Sequence, residues 1–133
     1  MIVSGQESIY LTRAHESLIG AESEFLNERY HNSANRAYYA CFQAAIAALL
    51  QKAGVQARGG EWGHDFVQAQ FNGMLINRRH LYPTELRTVL ARNYTLRVQA
   101  DYGEDMVSRT EAERALRRAR LFVTAVGEGG EER

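Results

Sequence analysis

At 133 residues the chain has the length of one domain, and 45% hydrophobic against 24% charged residues is a globular composition that can bury a core without staples. Sixteen Lys and Arg balance sixteen Asp and Glu, which excludes a protein that coats nucleic acid through overall positive charge and leaves room only for a local basic face. The one cysteine, Cys41, lies in an apolar run, which excludes an intramolecular disulfide and any Cys-x-x-Cys metal or redox motif.

Leu11, Ala14, Leu18, Ala21 and Phe25 recur at three- and four-residue steps, which predicts an amphipathic helix over residues 7–29. A short junction, YHNS, follows. Ala34, Tyr38, Cys41, Phe42, Ala45 and Leu49 then mark a second helix running to Lys52 and stopped by Gly54. Its second face is small: Ala37, Ala40, Ala44 and Ala47 or Ala48 would admit a close neighbouring backbone, from this chain or from a second copy. With so little polar surface it should be the most buried element. GVQARGGEWG has four glycines in ten residues and reads as a loop in which Trp62 is a lid or a staple. Val67, Phe71 and Met74, with His64 one turn ahead, predict a shorter third helix ending near Asn77. The basic NRRHLYPT segment is irregular, and Pro83 suits the first turn of the next helix.

The fourth helix turns Leu86, Val89, Leu90 and Tyr94 inward and continues through RVQADY to Gly103. In the fifth, Ser108 with Glu111 or Thr110 with Glu113 can form a capping box, and Ala112, Leu116, Ala119, Phe122 and Val123 line the buried stripe. The expected architecture is all-α, an up-and-down four-helix bundle with an additional short helix: one domain over residues 1–133, with a core from about 7 to 126 and a flexible tail at 127–133. No apolar run reaches the roughly 18 residues of a membrane span, and MIVSGQESIY lacks the layout of a signal peptide, so a cytoplasmic protein without membrane contact is expected.

Two inward stripes carry polar groups. Leu86, Leu90, Asn93, Arg97 and Asp101 lie three or four residues apart on the fourth helix, and Asn35, Arg36, Tyr39 and Gln43 lie similarly on the second. Burying an arginine is costly unless a carboxylate accepts its hydrogen bonds, and Asp101 can do so bidentately. Asn35, Arg36, Tyr39, Arg97 and Asp101 should therefore converge in one network, which is either structural wiring or a reactive site.

NRAYYACFQAAIAALL, followed by HDFVQAQF and then LRVQADYG, resembles the HEPN family over nearly the whole chain and in the right order. TEAERALRRARLFVTAV looks like that family's closing helix. The resemblance implies a bundle of four main helices, usually a homodimer, often encoded beside a minimal nucleotidyltransferase. Many such proteins are metal-independent endoribonuclease toxins, neutralised by that partner, in some systems through transfer of AMP to a tyrosine near the catalytic motif. Tyr102 is the tyrosine so placed here. The ribonuclease motif is an arginine with a histidine four to six residues on, the histidine moving the ribose 2′-hydroxyl proton and the arginine stabilising charge on the phosphate.

Here neither Arg92 nor Arg97 is followed by a histidine at that spacing; His15, His31, His64 and His80 all lie upstream. The reading this favours is a HEPN protein acting as homodimeric partner of a minimal nucleotidyltransferase in a toxin–antitoxin-like or stress-response pair, leaning away from an enzyme, with no cofactor and no metal. The alternative is a ribonuclease in which Arg97 works with His64 or Asp101, although an arginine-paired carboxylate is a poor base at neutral pH. The third is a nucleotide- or RNA-binding module, with Arg36, Arg92 and Arg97 as principal phosphate contacts and Arg78 and Arg79 beside them.

Overall fold

The computed structural model describes residues 5–129, and its order follows the helical periodicity. The five α-helices are α1 (Gly5–Leu26), α2 (Tyr30–Ala48), α3 (His64–Gln70), α4 (Val89–Tyr102) and α5 (Arg109–Gly127). Wider π-helical turns extend α2 through Leu49–Ala53 and α3 through Phe71–Arg78, and a 3-10 segment, Thr84–Thr88, leads into α4. No strand occurs among the described residues; the Gly-rich loop contains one isolated bridge between Arg58 and Glu61. No described helix is long and apolar enough to cross a membrane.

The short links between α1 and α2 and between α4 and α5 make those pairs antiparallel neighbours. The helix α2 sits at the centre, against α1, α4, α5 and the start of α3. Its alanine face is used up inside the bundle: Ala37, Ala40, Ala44, Ala47 and Ala48 are all buried. On α5 the capping box forms at Ser108 and Glu111, which satisfies two otherwise orphaned backbone donors. Phe71 packs against Phe122 at 4.8 Å and Tyr82 at 5.3 Å between ring centres, joining the α3 region to α5. Each fully buried side chain of this size contributes roughly 1.5–3 kcal/mol.

Three expectations are corrected. The α1–α2 junction is Asn27–Arg29 and not YHNS, because Glu28 takes a left-handed conformation (φ 61°) and Arg29 N–H donates back to the Glu24 carbonyl at 2.8 Å, closing α1 early; Tyr30 then opens α2. Leu75 and Ile76, not Met74, continue the stripe begun by Val67 and Phe71, since the wider turn returns to the core one residue later. Pro83 stands in extended conformation just before the 3-10 segment rather than within a helix turn. Of the expected tail, Gly127 ends α5 and residues 130–133 lie outside the described residues. Trp62 is a staple: its ring meets Tyr10 edge-on at 6.3 Å and Phe66 at 6.4 Å, tying the loop to α1 and α3.

Candidate functional site

The inward stripe of α4 emerges from the core as it runs toward its C-terminus. Leu90 and Asn93 are fully buried, the Arg97 side chain is 20% exposed and that of Asp101 29%. This gradient follows from the bundle geometry: the last turns of α4 pass beyond the apolar centre of α2 and meet its polar first turns, where Asn35, Tyr38 and Tyr39 stand.

The Arg97 guanidinium lies among three rings, 5.6 Å from the centre of Tyr38, 5.4 Å from Tyr39 and 6.0 Å from Tyr94. Contacts of this kind stabilise a half-buried arginine without a full counter-ion. The bidentate Arg97–Asp101 fork does not form. Arg97 Nε faces Asp101 Oδ2 at 3.4 Å, close enough for an ion pair but misaligned for a hydrogen bond, and Nε has no hydrogen-bond partner. Asn35 occupies the carboxylate instead, its Nδ2 donating to both Asp101 oxygens at 3.0 and 3.2 Å. Within the reach of an i, i+4 pair, Asp101 has been turned toward α2.

His64, at the start of α3, joins the same frame from the far side. The Tyr38 hydroxyl and His64 Nδ1 are 3.0 Å apart, and the imidazole stacks on Tyr94 at 3.8 Å. Burial pushes the Tyr38 phenol upward, against the pull of Arg97, so the hydroxyl keeps its proton at neutral pH. Burial chiefly, and then Arg97, hold the His64 imidazole below its ordinary 6.5, while Asp65 and Gln68 act the other way. A phenol hydroxyl both donates and accepts, and so does a neutral imidazole, so the 3.0 Å contact ties the two rings together with either ring nitrogen carrying the proton. The arrangement therefore offers a fixed guanidinium, a neutral histidine committed at Nδ1, and a carboxylate tied to an amide.

Arg36 is not part of this cluster. It is exposed and its stem lies over α1, where a Cβ built on Gly20 would sit 3.8 Å from it. The helical pitch explains the separation, because Asn35 and Arg36 are about 100° apart around α2 and α4 faces only the first. Gln43 likewise serves α1, through a 2.7 Å hydrogen bond with Ser17. Arg92 is exposed on the side of α4 that faces α5. Arg36, Arg92 and Arg97 thus stand on three different surfaces. Arg78 and Arg79 are exposed at the end of the π-helical extension of α3, where the Arg79 guanidinium meets the Lys52 carbonyl. Tyr102, in the last turn of α4, is 76% exposed and one residue from Asp101.

Sequence reasoning placed Asn93 on the inward stripe without its partners. Its Oδ1 accepts from Arg118 Nε at 2.7 Å, and its Nδ2 faces the Ala115 carbonyl at 3.2 Å and Cys41 Sγ at 3.5 Å. For Arg118 the signal in the sequence is its four-residue spacing from Arg114 in RALRRAR, which puts both on one face of α5. Periodicity alone makes Tyr94 a core residue; its position one turn ahead of Arg97 is what makes it a wall of the cation's frame.

Comparison with known proteins agrees with this architecture. The HEPN domain profile matches residues 8–129. A protein of Methanocaldococcus jannaschii, named "Putative toxin MJ0605", is 32% identical over 113 residues, 85% of this chain and 80% of its own length. With the profile spanning all five helices and the Arg97 segment at the end of α4, the chain belongs to the HEPN domain family.

Proposed function

We propose that this HEPN protein is the toxin-side component of a toxin–antitoxin-like pair, a homodimer that works in the cytoplasm with a minimal nucleotidyltransferase. The observation that carries the reading is the end of α4: an arginine held in a ring frame, an aspartate where a histidine would complete the ribonuclease motif, and an exposed phenol, Tyr102, beside them. The relative named as a toxin supports the toxin side of the pair. In the proposed modification the Tyr102 hydroxyl oxygen attacks the α-phosphorus of ATP bound by the partner. An O–P bond forms, pyrophosphate leaves, and the phenol proton passes to solvent or to a partner base.

Co-expression with the nucleotidyltransferase encoded nearest to it tests this directly. The two chains should co-purify, and intact mass should show the gain of one AMP that Tyr102→Phe abolishes. Absence of any association between the two chains would refute the pairing.

A second reading, a ribonuclease using Arg97 with His64, rests on the contact of His64 with Tyr38 and Tyr94, which makes it the histidine joined to the arginine's frame. RNA cleavage that is unchanged in both Arg97→Ala and His64→Ala would eliminate it.

A further inference from the structure

On the opposite side of α4 from Arg97, a cleft of about 370 Å³ opens between α4 and α5. Ala91 and Leu96 contribute apolar lining, and Arg92, Arg114 and Arg118 supply three cations. Successive residues turn about 100° around a helix, so Thr95, which lines this cleft, points about 200° away from Arg97. The two sites share a helix and no lining residue.

Three cations share the cleft with one carboxylate, Glu111. Among the described residues none of the three guanidiniums has an ion-pair partner, whereas Arg117 and Arg120, on the same helix, are paired with Glu113 and Glu22. Arg118 is half-buried, anchored through Nε by the buried Asn93 amide oxygen, and lines the cleft. Burial first, and then repulsion by Arg92 and Arg114, oppose its charge. Because α4 and α5 run antiparallel, Arg92 and Arg118 stand at one end and Gln99 and Glu111 at the other, about 10 Å away along α4. Glu111 is already committed to the α5 cap through Oε1.

We propose that this cleft is a binding site for a phosphomonoester, with the dianionic phosphate between Arg92, Arg114 and Arg118 and the rest of the ligand lying over Leu96 toward Gln99. Arginine forks match the oxygens of a phosphate, and a terminal phosphate offers three of them and two charges to a cleft whose three cations outnumber its one carboxylate. The volume suits a small phosphorylated molecule or one terminal phosphorylated residue of a chain.

Titration calorimetry on the full chain tests it with ribose 5-phosphate, ribose, inorganic phosphate, and a short oligoribonucleotide with and without its 5′-phosphate. Ribose 5-phosphate or the 5′-phosphorylated oligonucleotide binds, and which of the two binds more tightly identifies the source of the phosphate. The unphosphorylated counterparts do not bind. Arg92→Gln with Arg114→Gln, both at exposed positions, weakens binding about tenfold or more, while Arg117→Gln, on α5 but outside the cleft, leaves it unchanged. No heat with any phosphorylated ligand, equal binding of the unphosphorylated ones, or an affinity indifferent to the double substitution would each overturn the assignment. Loss in Arg97→Gln alone would move the phosphate to the other face of α4 and overturn it as well.

Discussion

Replacing Asn93 by alanine removes three interactions at one fully buried position. The Arg118 Nε donor loses its 2.7 Å acceptor, the Ala115 carbonyl loses a 3.2 Å donor, and the weak contact to Cys41 Sγ disappears. A hydrogen bond to a charged group is worth about 1.5–3 kcal/mol and a neutral one about 1 kcal/mol. Arg118 is only half-buried, so water can rehydrate part of its guanidinium and the lower end of that range applies. Adding the small void left by the lost amide gives about 3 kcal/mol in total. Urea unfolding of wild type, Asn93→Ala, Arg118→Ala and the double variant forms a cycle, with an expected coupling of about 1.5 kcal/mol between the two side chains. Asn93→Asp separates the terms: it keeps an acceptor for Arg118 but turns acceptors toward the Ala115 carbonyl, so it recovers only part of the loss. A cost below about 1 kcal/mol for Asn93→Ala, or a coupling near zero, would show that this amide does not organise the α4–α5 contact.

Gly103→Ala places a Cβ 2.6 Å from the Gln99 carbonyl oxygen, a backbone clash that should unwind the end of α4 at a cost of about 1–3 kcal/mol and speed hydrogen exchange at Asp101 and Tyr102, measurable by thermal melts and exchange mass spectrometry. Burial keeps the folded-state His64 below 6.5, so the unfolded chain binds the extra proton as pH falls; the neutral ring's contribution is complete above about 6.5 and is lost as pH drops through the folded value. Unfolding free energies measured from pH 7 down to about 5 should fall more steeply in wild type than in His64→Gln. Trp62→Ala frees the Gly-rich loop and should accelerate tryptic cleavage at the exposed Arg58, with a stability loss of about 1 kcal/mol.

The helical bundle was legible because α1, α2 and α5 each repeat apolar residues with one period over five turns or more, and local signals such as Gly54 and the Ser108–Glu111 box mark their ends. Periodicity also put Arg97 and Asp101 on one stripe. It could not identify their partners, because those depend on how neighbouring helices are rotated and staggered. Asn35, 66 residues from Asp101, captured the carboxylate expected to fork with Arg97. Arg36, its sequence neighbour, was carried onto α1 by one further step of the helix. The Leu75 and Ile76 stripe was hidden for a different reason: a π-helical turn changes the very period used to read the pattern.

Seven of the eleven buried positions on α2 are alanines, namely Ala34, Ala37, Ala40, Ala44, Ala45, Ala47 and Ala48. A methyl group has no rotamers to lose on burial, so ordering this helix costs the chain less side-chain entropy than any leucine-rich core of equal length. It also has none to gain. A neighbour that shifts against α2 finds few side chains able to swing aside, and the displacement passes on as motion of a whole helix. Asn35, Tyr38 and Tyr39 ride on that rod, so a tilt of α2 against α4 would move the two α2 walls around Arg97 together relative to Tyr94 and leave the distances within α2 unchanged.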